Sequence, residues 1–192
     1  FGGIVEDKGV VGDYDDDLKA VVTGTRDKVA EKMADLRVAD SMTEIFNLFR
    51  RCNRYIDETM PWVLAKDEAS KDRLATVLYN LVEGITIGAS LLSPYMPETS
   101  EKIFAQLNTS MVEFDNLATF GNYKSGTKVT EKPQILFARL DEKEVMEKAK
   151  VLMEKQAASV KAANAAVEED TVIDIEPKDE ITFDDFTKMQ FQ

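Results

Sequence analysis

The feature that most constrains this chain is a helical stripe of apolar side chains that stops at a Pro-Trp pair. Between residues 38 and 59 apolar side chains recur every three or four positions, at Val38, Met42, Ile45, Phe46, Phe49, Cys52 and Ile56. This spacing predicts an amphipathic helix that packs one face against a core. Pro61 lacks an amide hydrogen and disfavours helical angles at Met60. We therefore expect the helix to end there, followed by a short turn from Trp62 to Lys66.

The same periodicity predicts three further core helices. They cover Asp15 to Leu36, a segment capped by Ser70 that runs to about Leu92, and Pro97 to about Leu107. Gly84 and Gly88 are small enough to let a neighbouring helix approach the third of these closely. Four amphipathic helices in succession predict an all-α bundle.

The remainder of the chain has weaker patterns. Residues 108–132 lack periodicity and are predicted to form a loop, whereas residues 142–163 are rich in Ala, Lys and Glu and predict a helix. An acidic stretch at residues 168–177 is typical of a linker. Residues 181–191 then combine aromatic and β-branched side chains with partial alternation, which favours a strand.

Composition excludes several classes of function. The 192 residues include one cysteine, Cys52, and no histidine. An internal disulfide, a Cys/His zinc site and Ser-His-Asp catalysis are therefore impossible, and we expect a reducing, cytoplasmic setting. The longest apolar run, Ile85 to Leu92, is too short to span a membrane. Because the sequence does not begin with Met, we expect it to be part of a longer protein.

The charge distribution argues against broad binding of nucleic acid but permits a local site. The net charge is −12, and residues 141–192 carry 14 acidic and 7 basic residues of the total. Nucleic-acid phosphates require Lys and Arg. Basic residues near the Pro-Trp pair predict a local positive patch, made of Arg50, Arg51, Arg54, Lys66, Lys71 and Arg73.

Each candidate residue near this pair has two interpretations. Trp62, the only tryptophan, could belong to the core, or its ring could stack on a nucleic-acid base. Asn53 has both a donor and an acceptor, so it could read a base edge or brace the bundle. Arg50 and Arg54 could contact phosphate or simply be solvated.

A series of short segments resembles the anticodon-binding helical bundle of class I aminoacyl-tRNA synthetases, and most closely that of the methionyl-tRNA synthetases. The segment Asn53–Trp62 is similar to that family's Asn-x-Tyr-Ile-Asp-Glu-x-x-Pro-Trp pattern, and the other matches follow in family order across nearly the whole chain. They are Phe1-Gly2-Gly3, the helix break Leu92–Pro97, Glu101–Leu107, Leu136–Asp141 with Ala138 in place of the usual proline, and Ile181–Phe186, which resembles the beginning of the appended tRNA-binding OB-fold domain.

The resemblance implies an all-α bundle over residues 1–140, a C-terminal helix at 141–165, an acidic linker at 166–180 and a truncated OB-fold beginning at 181–192. It implies that Pro61 and Trp62 lie at the anticodon site, with the indole stacked on an unpaired anticodon base, and that Asn53, Arg54 and Arg50 surround them. The implied partner is the anticodon stem-loop of methionine tRNA, with no role for a membrane.

The family's two ATP-binding signatures, of the His-x-Gly-His and Lys-Met-Ser-Lys-Ser types, are absent from this sequence. The resemblance therefore implies that catalysis lies outside this segment, which would not be active alone. ATP, with zinc as a further candidate, would belong to the catalytic domain of the parent ligase. This segment would hold no cofactor and no metal, and the parent would form a homodimer through the OB-fold domain.

Two alternatives remain open from the residues. Leucyl-, isoleucyl- and valyl-type synthetases share an Asn-x-Tyr-Ile and Pro-Trp pattern, although the Pro94–Pro97 break and the OB-fold beginning favour the methionyl type. A helical protein-interaction module, with Trp62 in a partner groove, is an alternative from a different class.

Overall fold

A computed structural model describes the backbone of residues 1–168 and the side chains of residues 1–161. The elements in chain order are β1 (Ile4–Val5), α1 (Asp15–Ala34), α2 (Val38–Thr59), α3 (Pro61–Leu64), a 3₁₀ turn (Glu68–Ser70), α4 (Lys71–Leu92), α5 (Pro97–Leu107), a second 3₁₀ turn (Phe114–Ala118), β2 (Thr127–Lys128) and α6 (Glu142–Glu168). The all-α prediction is confirmed. One compact unit covers Phe1–Phe137, and a second begins at Ala138 and contains α6.

The core of the first unit lies between α1, α2 and α4. Its fully buried apolar side chains include Leu18, Val22, Ile45 and Val77, which belong to the predicted stripes of these helices. Leu48, Tyr55 and Ile87 are also fully buried, although the predicted stripes did not contain them. Helices α1 and α2 each bury one face because their apolar residues recur with the helical period. Helix α4 lies between its neighbours and is buried on nearly all sides, so that packing the three helices together removes their apolar side chains from water.

Close approach of α2 to α4 depends on two glycines, as the sequence predicted. A Cβ atom on Gly84 would lie 2.9 Å from Cys52 Sγ, and one on Gly88 would lie 2.6 Å from Phe49 Cε1. Both distances are shorter than ordinary packing contacts between heavy atoms. Helix α2 therefore occupies the space that side chains at these two positions would fill.

The structure corrects the predicted ends of several helices. The predicted turn at Trp62–Lys66 is wrong, because Pro61–Leu64 forms one turn of helix. Helix α1 ends at Ala34, before Leu36, which has a left-handed backbone with φ of 58°. Ser70 occupies the N-cap position of α4, but its hydroxyl donates a hydrogen bond to Asp67 Oδ2 at 2.7 Å instead of capping the helix.

The predicted loop at 108–132 is more ordered than its sequence suggested. Strand β2 pairs antiparallel with β1 near the N-terminus, with Ile4 opposite Lys128. The buried carboxylate of Glu83 on α4 fixes the preceding turn by accepting amide hydrogen bonds from Gly121, Asn122 and Tyr123 at 2.9, 2.8 and 2.6 Å. These contacts are distant in sequence, so local periodicity did not reveal them.

Among the residues that the structure describes, one helical segment, Glu68–Leu92, is long and apolar enough by composition to cross a membrane, but 83% of its most apolar part is buried inside the bundle. It is therefore the core helix of this unit. Helix α6 covers the predicted C-terminal helix and continues to Glu168. Most of the predicted acidic linker, and the OB-fold beginning at 181–192, lie outside the described residues.

Candidate nucleic-acid interface

A buried network of polar side chains holds the C-terminal half of α2 against α1 and α4. Tyr55 is fully buried, and its hydroxyl donates a hydrogen bond to Asp15 Oδ1 at 2.6 Å and accepts one from Asn80 Nδ2 at 3.1 Å. Arg73 on α4 donates from both terminal nitrogens to the two oxygens of Asp15, each at 2.7 Å. The network joins α1, α2 and α4, so the position of the α2 end is set by three helices.

The protonation equilibria of this network follow from its burial and its charges. Burial by itself raises the pKa of Asp15, but hydrogen bonds from Arg73 and Tyr55 and the charge of Arg73 outweigh it and lower the pKa below its ordinary value of 3.8. Burial, followed by the hydrogen bond to Asp15, raises the pKa of Tyr55 to about 12. Asp15 is therefore ionised and Tyr55 neutral at neutral pH.

The opposite face of α2 carries three of the residues that the sequence singled out. Arg50, Asn53 and Arg54 are all exposed. Positions three and four apart are neighbours on a helix, so these three side chains share one continuous patch. Asn53 is therefore on the solvent face, and the alternative that it braces the core is wrong.

Trp62 is carried out of the bundle by the geometry that follows α2. Met60 ends the helix with a left-handed backbone, φ 44° and ψ 61°, and Pro61 occupies the first position of α3. Leu64 packs against the core, and Trp62 lies two residues earlier, about 200° round the helix. Trp62 is consequently 51% exposed, so it is not buried in the core.

The predicted positive patch is wrong, because four of its six cations form ion pairs with carboxylates. Arg51 is only 9% exposed and pairs with Asp17 at 2.6 Å and Glu58 at 3.0 Å. Arg73 pairs with Asp15, Arg54 with Glu58, and Lys71 with Glu68.

Two members of the predicted patch differ from the rest. Within the described part of the chain, no carboxylate forms an ion pair with Arg50 or Lys66. Arg50 instead donates a hydrogen bond to Asn47 Oδ1 at 2.9 Å. A narrow set of groups can therefore meet phosphate, whereas a broad basic surface is absent among residues 1–161.

Glu58 is a residue of this face that sequence reasoning missed. Its carboxylate lies between two arginines of α2, with Oε1 2.8 Å from Arg54 Nε and Oε2 3.0 Å from Arg51 Nη1. The sequence did contain an indication of this ion pair, because Glu58 follows Arg54 by four positions, the spacing at which helical side chains meet.

No metal centre accompanies this face in the part of the chain that the structure describes, where no group of three or more His, Cys, Asp or Glu side chains is placed to hold an ion. Burial raises the pKa of the Cys52 thiol to about 11, so it is neutral at physiological pH. The face offers an aromatic ring, an amide and guanidinium groups. Such groups bind by stacking and hydrogen bonding.

Comparisons with known proteins show which family this chain resembles. Residues 5–157 match the family model of the anticodon binding domain of methionyl tRNA ligase. Over its whole length the chain is 39% identical to methionine–tRNA ligase of Clostridium perfringens and 40% identical to that of Clostridium tetani. It spans 28% of the length of each of these relatives.

Solved structures that resemble this chain are also methionyl-tRNA synthetases. The apo methionyl-tRNA synthetase of Mycobacterium tuberculosis superposes on 72% of this chain with a TM-score of 0.66 and 28% sequence identity, and the match covers 28% of that protein. Its complex with methionyl-adenylate gives a TM-score of 0.65 over 71% of the chain.

Proposed function

The chain belongs to the anticodon-binding domain family of methionyl-tRNA ligases, and from this membership we propose that it recognises the anticodon of methionine tRNA by stacking an unpaired base on Trp62. The matches to methionine–tRNA ligases favour this specificity over the leucyl, isoleucyl and valyl types. The RNA partner is the anticodon stem-loop.

The observation that supports this most directly is the exposure of Trp62. A tryptophan kept for stability would bury its large apolar surface in the core. Here the indole is half-exposed on a one-turn helix whose Leu64 anchors it to the bundle. An aromatic ring with a free surface suits stacking, which contributes about 1–3 kcal/mol per base.

The polar groups on the neighbouring face of α2 suit recognition of an unpaired nucleotide. Asn53 offers one acceptor and two donor hydrogens to a base edge. Arg50 and Arg54 offer guanidinium groups to the phosphates on either side. A wrong base would cover the amide of Asn53 without pairing it, and an unpaired polar group that has lost its water lowers affinity.

We extend the proposal to the protein of which this segment is a part. That ligase joins methionine to its tRNA at the expense of ATP in the cytoplasm. ATP, with zinc as a further candidate cofactor, binds in its catalytic domain, and the protein forms a homodimer through its OB-fold domain. The chain described here supplies RNA recognition only.

The single tryptophan makes a direct test possible. We would titrate the 192-residue chain with stem-loops that carry the methionine anticodon CAU or a changed anticodon, and follow Trp62 fluorescence. Stacking on a base should quench the emission, and the CAU stem-loop should bind more tightly than the changed one. Quenching without any anticodon preference, or no quenching, would contradict the proposal.

A mutation complements the titration. By filter binding, Trp62→Ala should weaken the CAU complex about 5- to 150-fold, the equivalent of 1–3 kcal/mol of stacking. Phe114→Ala is the matched control, because Phe114 is also a half-exposed aromatic residue, on a different element. In the full-length ligase, Trp62→Ala should raise the KM for tRNA and leave methionine-dependent ATP–pyrophosphate exchange nearly unchanged. Equal loss of both activities would instead indicate a role in folding.

A further inference from the structure

We propose that Glu58 is the positioning residue of this interface, holding the guanidinium of Arg54 in one orientation so that its terminal amino groups bind a phosphate of the anticodon loop. This inference rests on the proposed function, and it assigns a role to a residue that would not itself contact RNA.

The first observation is the enclosure of Glu58. Its side chain is only 16% exposed although it lies on the last turn of α2. Oε1 accepts a hydrogen bond from Arg54 Nε at 2.8 Å. Oε2 is buried and lies 3.0 Å from Arg51 Nη1, in an ion pair that lacks the angles of a hydrogen bond. Both oxygens are thus occupied by arginines of the same helix.

The second observation is that Arg51 is a fixed anchor. It is 9% exposed, and its Nε donates to Asp17 Oδ2 at 2.6 Å. Its Nη2 donates to the carbonyl of Tyr14 at 3.3 Å, and its guanidinium lies 5.8 Å from the ring centroid of Tyr55. These contacts tie Arg51 to the beginning of α1. Glu58 therefore contacts a largely buried arginine with several partners, and this favours one position of its carboxylate and, through it, of Arg54.

The third observation concerns what remains free on Arg54. Its side chain is 76% exposed, and among the described residues no acceptor is bound to Nη1 or Nη2. Using Nε for Glu58 leaves the two terminal nitrogens in the guanidinium plane for an external acceptor. Such a fork matches the spacing of phosphate oxygens.

Fixing this side chain in advance has a measurable consequence. An arginine that is mobile in the free protein loses rotamer freedom on binding, at a cost of about 0.5–1.5 kcal/mol, which corresponds to about a 2- to 12-fold change in affinity. The negative charge of Glu58 does not repel the RNA strongly, because Arg51 and Arg54 flank it. Removing Glu58 should therefore weaken RNA binding even though a negative charge is lost.

The test is a double-mutant cycle in the 192-residue chain, with the CAU stem-loop titrated against Trp62 fluorescence. Glu58→Ala should weaken binding about 2- to 12-fold. Arg54→Ala should weaken it as well, and adding Glu58→Ala to Arg54→Ala should cause no further loss. Arg54→Ala should also reduce the slope of log affinity against log salt by about 0.7, whereas Glu58→Ala should leave the slope nearly unchanged.

Asp40→Ala is the matched control, because it breaks the exposed Arg37–Asp40 ion pair about 27 Å away on the same helix. It should not affect RNA binding, and urea unfolding of each variant separates lost binding from lost folding.

The inference would be overturned if Glu58→Ala still weakened RNA binding in the Arg54→Ala background, or if Glu58→Ala alone left the affinity for RNA unchanged or increased it. If Trp62→Ala and a changed anticodon each weaken RNA binding as proposed, but the double-mutant cycle shows no coupling between Glu58 and Arg54, only the role of Glu58 is refuted. If the anticodon has no effect, the proposed function fails first.

Discussion

Replacing Asp15 with Asn should destabilise the bundle strongly at neutral pH. Asp15 is fully buried, and its two oxygens accept hydrogen bonds from Tyr55, from both terminal nitrogens of Arg73 and from the amide of Gly12. All of these partners are donors. An asparagine would place an NH₂ group against at least one of them and would leave Arg73 without its counter-charge.

The magnitude follows from the loss of one partner of a largely buried ion pair. Arg73 is only 17% exposed in the folded state, so water replaces little of the missing interaction. Breaking such a pair from one side costs about 3–5 kcal/mol. This is a large fraction of the 5–15 kcal/mol that separates folded from unfolded states in typical proteins.

The pH dependence has a defined sign. Because the pKa of Asp15 is lower in the folded than in the unfolded state, its contribution to the free energy of unfolding is fully present above the unfolded value, about 3.9. It is lost as the pH falls through the lower, folded value. The difference in stability between the wild-type chain and Asp15→Asn should therefore be largest at neutral pH and should shrink below pH 3.9.

Urea unfolding followed by far-ultraviolet circular dichroism would measure this difference at several pH values. Asp16→Asn is the control, because Asp16 is exposed on the same turn of α1 and its replacement removes the same charge. If Asp15→Asn destabilises no more than Asp16→Asn, or if the difference between Asp15→Asn and wild type does not vary with pH, the buried network does not stabilise the fold in this way.

Two further predictions concern packing inside the bundle. Glu83→Gln should lower the free energy of unfolding by about 1–3 kcal/mol in urea titrations, because an amide NH₂ would face backbone N–H groups of residues 121–123; equal stability would show that the turn does not need the carboxylate. Gly24→Ala should raise the melting temperature, because open space surrounds Gly24 and alanine favours the helix by about 1 kcal/mol relative to glycine. Gly88→Ala should not raise it, because the added Cβ would lie 2.6 Å from Phe49 Cε1. An equal gain for both variants would contradict the close approach of α2 to α4.

The course of α2 was predictable from the sequence because its determinants are local. Its apolar period sets the buried face, and Pro61 sets its end, so the predicted bounds Val38–Thr59 agree with the structure. The prediction of a short turn at Trp62–Lys66 was wrong, because residues 61–64 form one turn of helix. Pro61 occupies the first position of a one-turn helix, a position that proline favours, and Leu64 packs against the core through contacts that are distant in sequence.

The turn held by Glu83 marks a limit of sequence reasoning. Glu83 belongs to a helix, and its three amide partners lie about forty positions later in a segment without periodicity. Hydrogen bonds over such a separation depend on how α4 is placed in the bundle. The pairing of β1 with β2 depends on the same placement, since β1 contacts α4.

The sequence by itself determined that this chain is a helical bundle without histidine chemistry or disulfides, and its ordered motifs identified Trp62, Pro61, Asn53, Arg54 and Arg50 as candidates for RNA contact. Only the tertiary structure decided which cations are available, because ion pairs such as Arg51–Asp17 and Arg73–Asp15 join different helices. It also decided that the indole of Trp62 is exposed. The physical reason is that periodicity fixes which side of one helix faces the core, whereas the partners and exposure of a side chain depend on helices that are distant in sequence.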